Sequence, residues 1–270
     1  MMKYDEIISL GSSCCPGLSL RNLNLKKETY PFDWVRNNSK IIYDVLVNGK
    51  DKYLTFNNKN ISNDFYVKDL HYFTHRSFKG SHINYYGQHF THYTNLNTVE
   101  LITKFNHYLD RFFNLLNSNK KVLFIHSNEE YIYHKKSRDD KVILYDYLCK
   151  INDIIKEKYP NLTFEIINID INNTFENYKD ITNLNMNYDL SLSDNCEHHT
   201  PKFYDKYRNN ITYIINKFLK EQLCAPTCNI PLILILNFCI NTLIFISIIL
   251  LNYIIIIEMI KFKNNNLVLL

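Results

Sequence analysis

The chain predicts a three-layer α/β domain built on a mostly parallel sheet, and three observations carry that expectation. Short apolar runs alternate with amphipathic helical stretches from residue 4 to about residue 220. The intervals between those runs are long enough for crossover helices, the pattern of βαβ units. The first apolar run also stops at Gly11, in the sharp strand-to-helix corner Gly11-Ser12-Ser13-Cys14-Cys15.

Residues 4–10 (YDEIISL) read as a buried strand, and residues 16–25 as a short helix. Residues 39–47 look helical and are followed by a mixed aromatic and Asn-rich stretch to about residue 95. Over residues 97–116, Val99, Ile102, Phe105, Leu109, Phe112 and Leu116 recur at helical spacing. A strand follows at 121–126 (KVLFIH), then an amphipathic helix at 142–158 stopped by Pro160, then a strand at 162–169 (LTFEIINI). The helix at 201–219 opens with Thr200 as its expected N-cap and Pro201 in its first position.

The composition narrows the classes of function. Net charge is +4, spread without a basic block or a stripe of interleaved aromatics, so no nucleic acid partner is expected. The 7 cysteines show no paired CxxC spacing, and Cys14 and Cys15 are too close for an ordinary disulfide. Reduced thiols in a cytosol-facing domain are the simplest account.

Residues 230–257 (IPLILILNFCINTLIFISIILLNYIIII) contain no charge. About 20 apolar residues suffice to cross a bilayer as a helix. The sequence therefore predicts a domain at 1–222, a linker at 223–229, a transmembrane helix at 230–257 and a short tail at 258–270. That layout is tail-anchored: a single-pass membrane protein whose lipid-bilayer contact is the 230–257 segment and whose α/β domain faces the cytosol.

In parallel sheets, sites form beyond the carboxyl ends of strands. The 11–15 corner is the place with most chemistry. Gly11 permits a tight turn, the backbone amides across residues 11–15 suit a small anion-binding nest that would stabilise an oxyanion, and a helix N-terminus stabilises a thiolate. Cys15 is a second thiol and Ser13 a hydroxyl at the same corner. Asp33 and Trp34, the sole tryptophan, follow in TYPFDW; the carboxylate suits orienting a histidine, binding a substrate amine, or capping the helix near Ser39. His71, His75, His82, His89 and His92 crowd one aromatic segment. It lacks Cys, Asp and Glu, so neither a metal nor a cofactor is expected there, and supplying the base for an acyl-transfer thiol is the better use.

The order SLGSSC, LRNLNL, ETYPFDW resembles the family named "putative papain-like cysteine peptidase", found in bacteria and large DNA viruses. Its parts correspond here to Gly11 through Cys14, the Leu20–Leu25 stretch, Pro31 through Trp34, His89 and His92, Arg111 and the strand ending at His126, over residues 4–170. Thr29 stands where a serine is usual and His126 where an arginine is. The resemblance implies a cysteine hydrolase or acyl-transfer enzyme with Cys14 as nucleophile, a histidine base (His92 first, His198 second, His89 a further alternative) and Asp33 as the polar orienting residue. Gly11, Ser12, Trp34 and His126 would then bind substrate or its oxyanion.

A second resemblance is to SGNH esterases, which act on glycan or lipid esters. The segment SDNCEHHTP is similar to their terminal Asp-x-x-His block, with Asp194 and His198 in the acid and base positions and Ser13 as nucleophile. The corner lacks that family's aspartate, and Asp194 to His198 is one residue longer than its spacing. A third expectation, from another class, is a membrane-tethered binding or scaffold protein without activity.

Overall fold

The computed structural model describes residues 3–11, 13–35, 37–56, 82–86, 88–127, 138–171, 175–186 and 201–224. The 230–257 segment, Ser12, Asp194, His198, His71 and His75 lie outside them. Among the described residues no helix is long and apolar enough to cross a membrane.

Four strands form one parallel sheet: β1 (Glu6–Gly11), β4 (Lys121–Ser127), β5 (Thr163–Ile171) and β6 (Ile181–Met186), in that spatial order. Two short strands, β2 (His82–Ile83) and β3 (His89–Phe90), form a separate antiparallel hairpin. The helices are α1 (Cys14–Asn22), α2 (Ser39–Asn48), α3 (Thr98–Leu116), α4 (Arg138–Lys158) and α5 (Pro201–Cys224). Helices cover both faces, so the sheet-and-helix layering expected from the alternating pattern is present.

Each sheet face has its own core, because successive strand residues point to opposite sides. Ile8, Leu10, Val122, Phe124, Ile166 and Ile181 pack under residues of α2, α3 and α4. Ile7, Leu123, Ile125, Ile167 and Ile169 pack against Cys15 and Leu20 of α1 and Tyr207, Ile211 and Ile215 of α5. The strand runs are apolar on both sides for this reason, as buried parallel strands must be.

Helix α1 begins two residues earlier than the sequence suggests. Ser13 is extended (φ −139°, ψ −170°) and its Oγ accepts the Cys15 amide at 3.0 Å, so it is the N-cap and Pro16 falls in the first turn, where a missing N–H costs nothing. Helix α3 starts with a full capping box, Asn97 and Glu100 each accepting the other's backbone amide at 2.9 Å. Its buried stripe is Leu101, Phe105, Leu109, Phe112 and Leu116. Val99 belongs to the opposite face and is 73% exposed, correcting its place in the expected stripe. Strand β6 (ITNLNM) has no counterpart among the strands expected from sequence, because its alternate residues Asn183 and Asn185 break the apolar run.

Candidate functional site

The corner after β1 is shaped by Gly11, whose φ of +92° is a conformation that side chains avoid. The register of β1 against β4 shifts between Ser9 and Gly11, and the Gly11 amide turns back onto Ser9 Oγ at 3.0 Å. The chain then enters α1 directly, placing Cys14 in the first helical position. Three candidate nucleophiles of the corner thereby receive different surroundings. Ser13 is buried, with its oxygen engaged as the cap. Cys15 is 2% exposed and packs in the α1–α5 core. Cys14 is a half-buried thiol.

His92 comes from a 3₁₀ turn (Thr91–Tyr93) that directly follows β3. Its imidazole is hydrogen-bonded to Cys14 and exposed on its outer side. That bond, together with the charge of the thiolate, holds His92 above the ordinary histidine value of 6.5, against the opposing effect of burial. A thiol at a helix N-terminus beside an imidazole is the arrangement that favours a thiolate–imidazolium pair. Folding thus brings together Cys14 and His92, which lie 78 positions apart in the sequence. His89 lies on β3, paired in register with Ile83.

The Trp34 indole meets the His92 ring edge to face, with centroids 6.0 Å apart. Lys26 reaches over Trp34, its Nζ 4.4 Å from the ring centroid, and ends 2.6 Å from the Asp33 carboxylate. Asp33 is 1% exposed and also accepts the Tyr30 amide at 2.7 Å. Burial pushes Asp33 up and Lys26 down, and each partner's charge opposes the shift of the other. The carboxylate therefore closes its own turn and holds Lys26. It does not cap α2, whose N-cap is Asn38, accepting the Ile41 amide at 2.9 Å. Lys26 carries no sequence signal, since it sits beside Lys27 on an ordinary polar stretch.

The turn that carries Asp33 and Trp34 is anchored from three sides. Phe32 is fully buried between Tyr53 and Phe112 at ring separations of 5.9 and 5.3 Å. The Tyr53 hydroxyl donates to Pro31 O at 3.1 Å, and Arg111 donates to Thr29 O at 2.7 Å. The Phe, the Arg and the Pro-Phe-Asp-Trp run are thus one mechanical unit.

A chain of buried amides joins the hairpin to β1, and backbone groups fix the direction of every link. Asn84 Oδ1 accepts the Tyr86 and Gln88 amides, both at 3.1 Å, so its Nδ2 must be the end that donates to Gln88 Oε1 at 2.7 Å. Gln88 Nε2 then donates to Asn37 Oδ1 at 3.1 Å, and Asn37 Nδ2 donates to Leu10 O at 3.3 Å. Sequence reasoning missed Asn37, Asn84 and Gln88. Asparagine is so abundant in this chain that no single one stands out.

His126, at the end of β4, is the register partner of Gly11. It is 5% exposed, its Nδ1 is 2.8 Å from Asn168 Oδ1, and among the described residues its Nε2 has no hydrogen-bond partner. Burial lowers its pKa, against Asn168 and the charge of Asp170. Among the described residues no group of three or more His, Cys, Asp or Glu side chains is placed to hold a metal ion.

An uncharacterized protein of Acanthamoeba polyphaga mimivirus is 30% identical over 165 residues, covering 56% of this chain and 73% of that protein. No solved structure matches the chain. The family described as "Putative papain-like cysteine peptidase" matches residues 5–174, from the first strand through the end of β5. The chain belongs to that family.

Proposed function

We propose that the protein is a cysteine-dependent hydrolase or acyl-transfer enzyme in which Cys14 attacks a carbonyl carbon and His92 takes the thiol proton. The contact between His92 and a half-buried Cys14 at the start of α1 carries this reading. Family membership supports the reaction class. The capping bond of Ser13 and the core packing of Cys15 favour Cys14 over its two neighbours. In the acylation step a C–S bond forms to the carbonyl carbon and the bond to the leaving group breaks. The imidazolium of His92 returns its proton to that group, and water hydrolyses the thioester. Trp34, held by Lys26, sets the plane of the imidazole, the role that a polar third residue has in other dyads. The substrate on this reading is a peptide or another acyl compound.

The test is labelling of the full chain with a thiol-directed probe, beside Cys14→Ser, Cys15→Ser, Ser13→Ala and His92→Asn. Labelling lost in Cys14→Ser, weakened in His92→Asn and retained in the other two is the expected result. Labelling by a serine-directed phosphonate that disappears in Ser13→Ala would replace this reading with an esterase. An absence of selective labelling by either reagent would favour an inactive scaffold. We further propose that residues 230–257 tether the domain to a bilayer, on the strength of their uncharged apolar run. Extraction of the full chain into a carbonate wash would refute the tether.

A further inference from the structure

We propose that Asn37 is a catalytic residue, its side-chain N–H₂ supplying a donor to the oxyanion that forms when Cys14 attacks; the proposal rests on the Cys14 reading above. The argument begins from a shortage. The start of α1 offers few amides for an oxyanion hole, because Ser13 Oγ takes the Cys15 N–H and position 16 is a proline without one. Among the described residues of that first turn, the Cys14 amide belongs to the same residue as the thiol, whereas acyl-transfer sites place two donors on the developing charge.

Asn37 is the polar side chain packed against the corner. It is 2% exposed, and a Cβ at Gly11 would meet its Cβ at 3.2 Å and its Nδ2 at 3.6 Å. Gly11 therefore does two things. It takes a left-handed backbone angle, and by carrying no Cβ it keeps a side chain from coming within 3.6 Å of the Asn37 Nδ2 on the corner side. The orientation of that amide follows from the backbone N–H groups of Tyr86 and Gln88 through Asn84 and Gln88. The link to Asn37 Oδ1 forces Nδ2, not Oδ1, toward β1. One N–H is given to Leu10 O, and among the described residues the second has no acceptor. A donor held by four successive hydrogen-bonded groups, with little freedom to reorient, is the kind of preorganised dipole that stabilises a transition state without moving. The 3.3 Å bond to Leu10 O is the longest in the chain, consistent with an amide whose position is set from the Gln88 side.

The experiment separates oxyanion stabilisation from thiolate formation. Alkylation of Cys14 by iodoacetamide needs the thiolate but builds no oxyanion, while acetylation of Cys14 by p-nitrophenyl acetate passes through one. Both rates are followed at Cys14 by peptide mass spectrometry on the full chain, in wild type, Asn37→Ala and the near-isosteric Asn37→Asp. Acetylation is expected to fall on the order of 100-fold or more in both variants, with alkylation within about threefold of wild type. Parallel losses in both rates would reduce Asn37 to a packing role and overturn the proposal. So would unchanged acetylation. If wild-type Cys14 is alkylated no faster than Cys149 and independently of His92, the nucleophile reading itself fails, and this proposal with it.

Discussion

A Cβ on Gly17 would lie 2.9 Å from the backbone oxygen of Asp33, so helix α1 and the Asp33–Trp34 turn meet with no room for a side chain between them. This contact explains why the Gly-x-x-Cys corner and the Pro-Phe-Asp-Trp run occur together. The first positions the thiol, and the second lies against the same helix one turn later, carrying the indole that meets His92.

Gly17→Ala is expected to push the turn off the helix. Overpacking of this kind costs ~1–3 kcal/mol, read as a lower urea midpoint. Because Trp34 moves with the turn, alkylation of Cys14 should slow as well. A variant with normal midpoint and normal alkylation would show that the turn does not depend on this close approach.

The titration of His92 should report its thiol partner. Both effects of Cys14 raise the imidazole, and burial lowers it. Deleting the thiol in Cys14→Ala leaves the lowering effect alone, so the midpoint followed by NMR falls from above 6.5 toward or below it. An unchanged midpoint would mean that the two side chains do not interact in solution. The reciprocal change, a slower thiol at mildly acidic pH in His92→Asn, belongs to the same coupled pair.

The Lys26–Asp33 pair is buried, with side-chain exposures of 9% and 2%. Removing one member strands the other, at about 3–5 kcal/mol. Lys26→Met should therefore destabilise strongly, and adding Asp33→Asn should recover part of the loss. A double-mutant cycle by chemical denaturation measures the coupling. Additive losses would show that the pair is screened rather than buried.

His126 makes stability depend on pH in a stated direction. Its folded pKa lies below the ordinary 6.5 because burial opposes a charge there. Below 6.5 the unfolded chain binds the proton first, so stability is full above that value and is lost as pH falls through the folded pKa. His126→Gln should flatten this part of the pH profile in denaturant titrations, and an equal slope in both proteins would assign the acid loss to other groups.

Much of this architecture is legible in the residues. The β1, β4 and β5 runs are apolar because both faces are buried, and the stripe Phe105, Leu109, Phe112, Leu116 announces α3. Pairing Cys14 with His92 needed the resemblance, since nothing local to either residue points to the other. The third part of the site was the least visible. Asp33 reads as an orienting carboxylate, yet its described bonds go to Lys26 and Tyr30, and the ring beside His92 is Trp34. Such a choice is made by packing across 26, 33 and 34, which one-dimensional spacing does not encode. The amide chain through Asn84, Gln88 and Asn37 was hidden for a different reason: in an Asn-rich chain, a structural asparagine and an incidental one are spelled alike.

Among the described residues, the hairpin that leads into His92 pairs with no strand of the main sheet, whose order runs from β1 through β4 and β5 to β6. The thiol and the imidazole therefore come from separate parts of the fold, one at the start of α1 after the first strand of the parallel sheet and the other from the segment between α2 and α3. On the proposed reading, a substitution at His92 itself removes the base without touching the parallel sheet, whereas one at the buried Tyr86 or Phe90 disturbs the core that the sheet shares.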